Sequence, residues 1–271
     1  MNKNIFFITV CTIFITISCL FVTNAGASQF MVGEKLKYSI YAGGIKVGYQ
    51  TIEVRSIDRL GKHEVYVLTG RSWTSAFVSI FYRLDDNWKI YIDKKSLLPL
   101  RVEKDMLEGT KEGMLIYDLD QDNRKVIIRD GESNAIIKTV SPDNDVFDFV
   151  SMVYFFREHA ASFSDKGDII VFDFLEPKNV RTVSFKNEGT EDIIMQKVSR
   201  NRAIHTKKYK QIGDVGIEFF VSDDDMYLPL KMSVNAKLPK KLRIRIDVYL
   251  EKYSSEINGN YVSLRKILRK K

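Results

Sequence analysis

Short stretches of alternating apolar and polar residues recur along most of the chain. Lys35 to Tyr41 places Leu36, Tyr38 and Ile40 on one side, the period-two signature of a strand with one buried face. Gly43-Gly44 interrupts it and Val47 to Arg55 resumes it. The pattern returns at His63–Gly70, Trp88–Ile92, Gly113–Leu119 and Lys125–Arg129, then at Ile169–Leu175, Val180–Asn187, Glu191–Ser199 and Ile217–Val221. Lys241 to Tyr253 is the longest alternation, with Leu242, Ile244, Ile246, Val248 and Leu250 on one face. Trp73 to Tyr82 (WTSAFVSIFY) is apolar at both periods and suits a strand or a short helix. Many short strands with regular turns predict a mainly β protein, a strongly curved antiparallel sheet of the open-barrel kind.

One stretch breaks the pattern. Ser141 to Phe163 reads SPDNDVFDFVSMVYFFREHAASF. It predicts a central apolar helix over about 143–162, with Ser141 or Asp143 as cap, Pro142 in the first turn, and Asp143 and Asp145 at the positive end. Apolar residues occupy most of its circumference, so it is buried on more than one side. Two readings follow. As a core helix it simply packs on the sheet. As a plug it lines an apolar ligand pocket with Phe149, Val153 and Phe156, together with Trp73, Phe77, Phe81 and Trp88 from the β segments. Asp148, Ser151 and Arg157 are then the polar groups that orient a ligand. Aromatic residues on strands are more often core than lining.

A short phrase occurs once on each side of this helix: Asp93-Lys94-Lys95-Ser96-Leu97-Leu98-Pro99-Leu100 and Asp223-Asp224-Asp225-Met226-Tyr227-Leu228-Pro229-Leu230. Each reads as a polar turn followed by a returning strand. Proline supplies no N–H and marks the start of that strand, and aspartate bonds nearby backbone N–H groups.

Residues 1–27 carry Lys3, an apolar run from Ile5 to Thr23 and a small-x-small site at Ala25-Gly26-Ala27. This is the form of a secretory signal peptide, with an uncleaved anchor or lipidation at Cys19 as alternatives. Thr16-Ile17-Ser18 before Cys19 argues against lipidation. Both cysteines, Cys11 and Cys19, lie in this leader, so the remainder is expected to hold no disulfide and no thiolate site. The domain expected after it spans 28–255, two β halves around the helix, followed by a basic tail over 256–271. The net charge is +7. Lys and Arg residues crowd the last strand and the tail, suiting a solvated face or an anionic membrane surface. Export disfavours nucleic acid. His63, His159 and His205 are too scattered to suggest a metal site. No hydrolase or phosphate-binding motif is present. No catalytic residue, metal or cofactor is therefore expected.

With these residues in view, the chain resembles the bacterial family of domains of unknown function numbered 3108 (DUF3108). The resemblance rests on GEKLKYSIYAGGIKVGYQTIEV, YIDKKSLLPLRVEK, DFVSMVYFFR and VSDDDMYLPLKM, and runs from about Gly33 to Tyr253. Leu238-Pro239-Lys240-Lys241 departs from the family's glycine-containing turn before the last strand. The family carries no assigned activity, and the resemblance implies a periplasmic protein of Gram-negative bacteria. The fold expected also resembles, more loosely, the LolA/LolB-type lipoprotein carriers, a half-closed sheet capped by helix. The resulting expectation is a non-enzymatic periplasmic binder or carrier of a lipid, acyl chain or other apolar ligand. The alternatives are a structural or interaction module with an envelope protein partner, or an envelope hydrolase.

Overall fold

The computed structural model describes residues 30–160, 162–195, 203–213, 216–237, 243–257 and 260–264. The expected leader with its two cysteines, and the tail beyond Leu264, lie outside the described residues. The strands are β1 (Lys35–Ala42), β2 (Ile45–Leu60), β3 (His63–Thr74), β4 (Asp85–Asp93), β5 (Pro99–Glu108), β6 (Lys111–Asp120), β7 (Lys125–Asp130) and β8 (Ile136–Val140). After them come β9 (Val146–Phe147), β10 (Ile169–Glu176), β11 (Asn179–Ile194), β12 (Ala203–Ile212), β13 (Glu218–Ser222), β14 (Pro229–Lys237), β15 (Arg243–Ile257) and β16 (Asn260–Ser263). Two helices interrupt them, α1 (Ala76–Ser79) and α2 (Phe149–His159).

All the strands belong to one sheet, in the order β8-β7-β6-β5-β4-β3-β2-β1-β15-β14-β13-β12-β11-β10-β9, with β16 beside β15. Two antiparallel meanders are joined where β1 pairs with β15, Leu36 opposite Tyr253 and Ile40 opposite Val248. Among the described residues only β9 runs parallel, against β10. The two ends of this order, β8 and β9, are separated by residues 141–145 alone. A sheet whose first and last strands are neighbours in the chain must curl back on itself, and strand twist supplies the curvature.

No ladder joins β8 to β9; side chains bridge the seam instead. The Gln121 amide donates to the Val146 carbonyl (3.0 Å) and accepts from the Val146 N–H (3.0 Å), so it stands in for a strand partner. Its nitrogen also reaches the Pro99 carbonyl, 2.8 Å away. Arg124 meets Asp145 at 2.8 Å, Lys138 donates to Asn179 at 3.1 Å, and the Tyr117 hydroxyl donates to the Pro177 carbonyl at 3.0 Å.

The helix begins later and ends sooner than its sequence suggests. Val146 and Phe147 are strand, and the cap is Asp148 rather than Ser141 or Asp143. Asp148 accepts from the Val150 N–H at 2.8 Å, while Ser151 reaches back to the Asp148 N–H at 3.0 Å, closing a capping box. Asp143 and Asp145 serve other ends: Asp145 pairs with Arg124, and the Asp143 and Asn144 N–H groups bond the Asp173 carboxylate. The Trp73–Tyr82 stretch divides into the end of β3 and the single turn of α1. The strands expected at Val180–Asn187 and from Glu191 onward are one, β11, up to Ile194, with a register shift around Asn187 and Gly189; residues 196–199 of the second lie outside the described residues.

Helix α2 packs on both meanders. Met152, Val153 and Phe156 join Phe147, Phe172, Phe185, Tyr209 and Phe219 from the second half. Val150 and Tyr154 join Leu36, Ile52, Leu68, Ile90 and Tyr117 from the first. An element apolar over most of its surface thus buries two faces at once. The repeated phrase forms two similar hairpins. In each, the residue before Leu-Pro has positive φ, Leu97 at 60° and Tyr227 at 43°. Each loop also closes by a backbone bond to the leucine carbonyl, Asp93 N–H to Leu98 and Ser222 N–H to Leu228.

Candidate functional site

Two polar assemblies stand out, one beneath the helix and one between the strand ends. Beneath α2, Glu34 and Arg157 are both fully buried and form a two-pronged ion pair, 2.7 and 2.9 Å. The Tyr154 hydroxyl donates to the same carboxylate at 2.5 Å, and Phe30 stacks on both Tyr154 and Tyr66. Burial opposes the Arg157 charge, but the Glu34 carboxylate more than compensates and keeps the guanidinium charged. Burial and then the Glu34 charge push the Tyr154 phenol well above its ordinary range. Tyr253, raised by burial, is bonded to Ser255 at 3.0 Å nearby. The void against Tyr38, Phe149 and Val153 measures about 10 Å³, room for one water at most. This arrangement fastens the first strand to the helix, and that void is far too small for an acyl chain.

The second assembly is an open cleft of about 680 Å³. Three adjacent connections build it: β2–β3 with Leu60, Lys62 and His63, β4–β5 with Asp93, Lys95, Ser96, Leu98 and Leu100, and β6–β7 with Leu119 to Asn123. Leu119 is buried, Leu60, Leu98 and Leu100 are half-buried, and Lys62 and Lys95 are exposed. The β4–β5 hairpin is fixed by Asp93, whose Oδ1 accepts from the Lys95 and Ser96 N–H groups at 2.9 and 2.7 Å. Its Oδ2 meets His63 Nδ1 at 2.7 Å. Burial works against the Asp93 charge, yet the Ser96 and Lys95 N–H groups and His63 outweigh it and hold this carboxyl below its usual range.

The Ser96 hydroxyl bonds the Asp93 carboxylate at 3.1 Å, not the imidazole, so no base sits on a nucleophile in the way acyl transfer needs. The other histidines are spoken for: His159 Nδ1 lies 3.0 Å from the Phe155 carbonyl and His205 Nδ1 2.7 Å from Asp192. Among the described residues no group of three or more His, Cys, Asp or Glu side chains is placed to hold a metal ion.

The residues expected to line a pocket are scattered. Phe149, Val153 and Phe156 are in the core with α2, and Trp88 packs against the core beside Gly70. Trp73 does not line the interior: half-buried, it shares a face with Arg71, whose guanidinium lies 5.1 Å from its ring. Phe77 and Phe81 are 68% and 78% exposed on and after α1, so they line no interior at all. Asp148 and Ser151 are taken up by the helix cap and Arg157 by Glu34, and none of the three lines the cleft or the small void described above. The cleft residues Lys62, Lys95 and Leu98 drew no notice in the sequence beyond the repeated phrase, which does form one wall. Glu34 carried no signal, because its partners lie about 120 residues away.

The sequence profile of the family described as "Protein of unknown function (DUF3108)" matches residues 37–245. No curated protein matches the chain. Among solved structures, a β-barrel-like protein of the DUF1849 family from Brucella abortus superposes with a TM-score of 0.53 at 9% identity, covering 81% of this chain and 96% of that one. That likeness shows a shared fold. A DUF1089 family protein from Pseudomonas aeruginosa gives a TM-score of 0.39 at 10% identity, over 75% of this chain and 91% of that one. A Bacteroides fragilis protein with a YmcC-like fold gives 0.33 at 9% identity, over 82% and 96%.

Proposed function

The chain belongs to the DUF3108 family, and from that premise, which names no activity, we propose a non-enzymatic binder or carrier of an amphipathic ligand in the periplasm. The observation that supports this reading is the cleft of about 680 Å³, a volume in the range of ligand sites. Four leucines offer an apolar floor; Lys62, Lys95 and His63 share the rim with Asp93, Asp120 and Asp122, of which Asp93 is taken up by His63 and the hairpin N–H groups and Asp120 by Asn123. That rim of both signs suits an acyl or similar apolar chain ending in a polar head that includes an anionic group. The leader pattern of residues 1–27 supports export. We assign the ligand to this cleft rather than to the void of about 10 Å³ against Tyr38, Phe149 and Val153.

Displacement of a fluorescent fatty acid tests the reading. The wild-type chain binds the probe. Leu98→Asp, which puts a charge on the floor, weakens binding by at least about tenfold, and Lys62→Glu/Lys95→Glu weakens anionic probes more than their methyl esters. A chain that binds no apolar probe, or whose binding ignores all three substitutions while its fold is kept, refutes the proposal.

A further inference from the structure

The open cleft carries charges of both signs, and the way they divide bears on the head that a ligand there presents. The inference rests on the reading of that cleft as a ligand site. Its three connections follow one another along one end of the sheet, because the strands run in the order β7-β6-β5-β4-β3-β2. Successive hairpins at that end stand two strand spacings apart, about 10 Å. Along the row, β2–β3 presents Lys62, β4–β5 presents Lys95 and β6–β7 presents Asp122, all three exposed.

The other polar groups of the cleft are already engaged. Asp93 holds His63 and the hairpin N–H groups, and it accepts from the Ser96 hydroxyl. Gln121 spans Pro99 and Val146. Asp120 accepts from the Asn123 side-chain amide at 2.8 Å and from the Asn123 N–H at 3.1 Å. Those bonds, with the charges of Lys125 and Lys62 beyond them, hold the Asp120 carboxyl below its usual range. They also close the β6–β7 turn without using Asp122. Among the described residues the side chains of Lys62, Lys95 and Asp122 form no hydrogen bond or ion pair. On a convex surface such charges are simply solvated. Here they border a concave site floored by Leu60, Leu98, Leu100 and Leu119, and they are what that site has left to offer a ligand.

Two cations stand toward one end of the row and one carboxylate toward the other. A head that is only anionic meets repulsion from Asp122. A head that is only cationic meets it from Lys62 and Lys95. A neutral head leaves all three charges unanswered. A phosphate joined by a short linker to an ammonium answers every one of them when it lies along the row.

We propose that the cleft takes a zwitterionic amphiphile, an acyl chain with a phosphate–ammonium head, the phosphate set between Lys62 and Lys95 and the ammonium at Asp122. The leucine floor supplies affinity and Asp122 selects the head. Displacement of the fluorescent fatty acid from the full chain compares lysophosphatidylethanolamine, whose single chain keeps it in solution, with its N-acetyl derivative. The derivative keeps the phosphate and the chain and loses the ammonium. The wild-type chain binds the free amine at least about threefold more tightly. Asp122→Lys inverts that preference: affinity for the amine falls and affinity for the N-acetyl form rises, with an unchanged melting temperature because Asp120 closes the turn. Lys62→Glu/Lys95→Glu weakens both lipids. Equal affinity of the wild-type chain for the two lipids, or a preference that survives Asp122→Lys, overturns the proposal while fatty-acid binding still upholds the cleft. Loss of every probe, the fatty acid included, overturns the cleft reading and this one with it. Displacement by free phosphoethanolamine at the concentrations that suffice for the lysolipid also overturns the proposal, and assigns the rim to a soluble zwitterion.

Discussion

Replacing Arg157 by methionine removes the cation from a carboxylate that has no water to turn to. Glu34 loses both guanidinium bonds and keeps its phenol contacts, the 2.5 Å bond from Tyr154 and that with Tyr253. Both partners of the pair are fully buried, and breaking a buried ion pair from one side costs about 3–5 kcal/mol. For a domain of this size that corresponds to a fall in melting temperature of about 6–20 °C. Urea unfolding followed by circular dichroism, with the m-value checked for constancy, gives the free energy directly. The companion experiment is the double variant Glu34→Leu/Arg157→Met. It leaves no unpaired charge, so it is more stable than Arg157→Met alone by at least about 1 kcal/mol, although one more side chain has changed. The reasoning fails if Arg157→Met costs less than about 1 kcal/mol, or if the double loss equals the sum of the single ones. Either outcome means that water or a rearranged neighbour reaches Glu34.

Gly70 lies under the Trp88 ring, where a Cβ would come within 1.9 Å of Cζ2 and 2.3 Å of the Thr51 carbonyl; Gly70→Ala therefore costs about 1–3 kcal/mol in thermal unfolding, and less in a Trp88→Leu background. Asp93 holds its proton less tightly folded than unfolded, so it stabilises the fold above about pH 4 and this contribution fades as pH falls through the lower folded value; Asp93→Asn weakens the protein near neutrality and flattens the loss of stability on acidification. Gln121→Leu strips the Val146 N–H and carbonyl of their partner across the seam, at a cost of about 1–3 kcal/mol, and hydrogen exchange then rises first at β9 and its neighbours rather than at the β1–β15 joint.

The strands were legible because alternation survives in most of them: Leu36, Tyr38 and Ile40 mark the inner face of β1 in sequence and in structure alike. The helix was overdrawn for a physical reason. Val146 and Phe147 are apolar and fit either period, while Pro142, Asp143 and Asp145 are ordinary first-turn residues. The Asp173 carboxylate, Arg124 and Gln121, all distant in sequence, tie that segment into the sheet edge. Phe77 and Phe81 misled because aromatic residues are usually interior; here a fixed excursion between β3 and β4 turns them outward. Glu34 and Gln121 were silent, since a single acid or amide says nothing until the chain that curls back to meet it is known. The cleft was half visible: the repeated phrase located one hairpin wall, but the meeting of three connections depends on strand register.

The cleft and the exposed aromatic pair of α1 occupy opposite ends of one strand. β3 begins at His63, in the cleft, and ends at Thr74, just before α1, twelve residues in all. At about 3.3 Å per residue the two ends lie roughly 35 Å apart. Substitutions at sites so far apart with no shared partner act independently. Phe77→Ser/Ile80→Ser therefore leaves probe affinity in the cleft intact, and its effect on stability adds to that of Leu98→Asp. Coupling between the two variants would require β3 to bend.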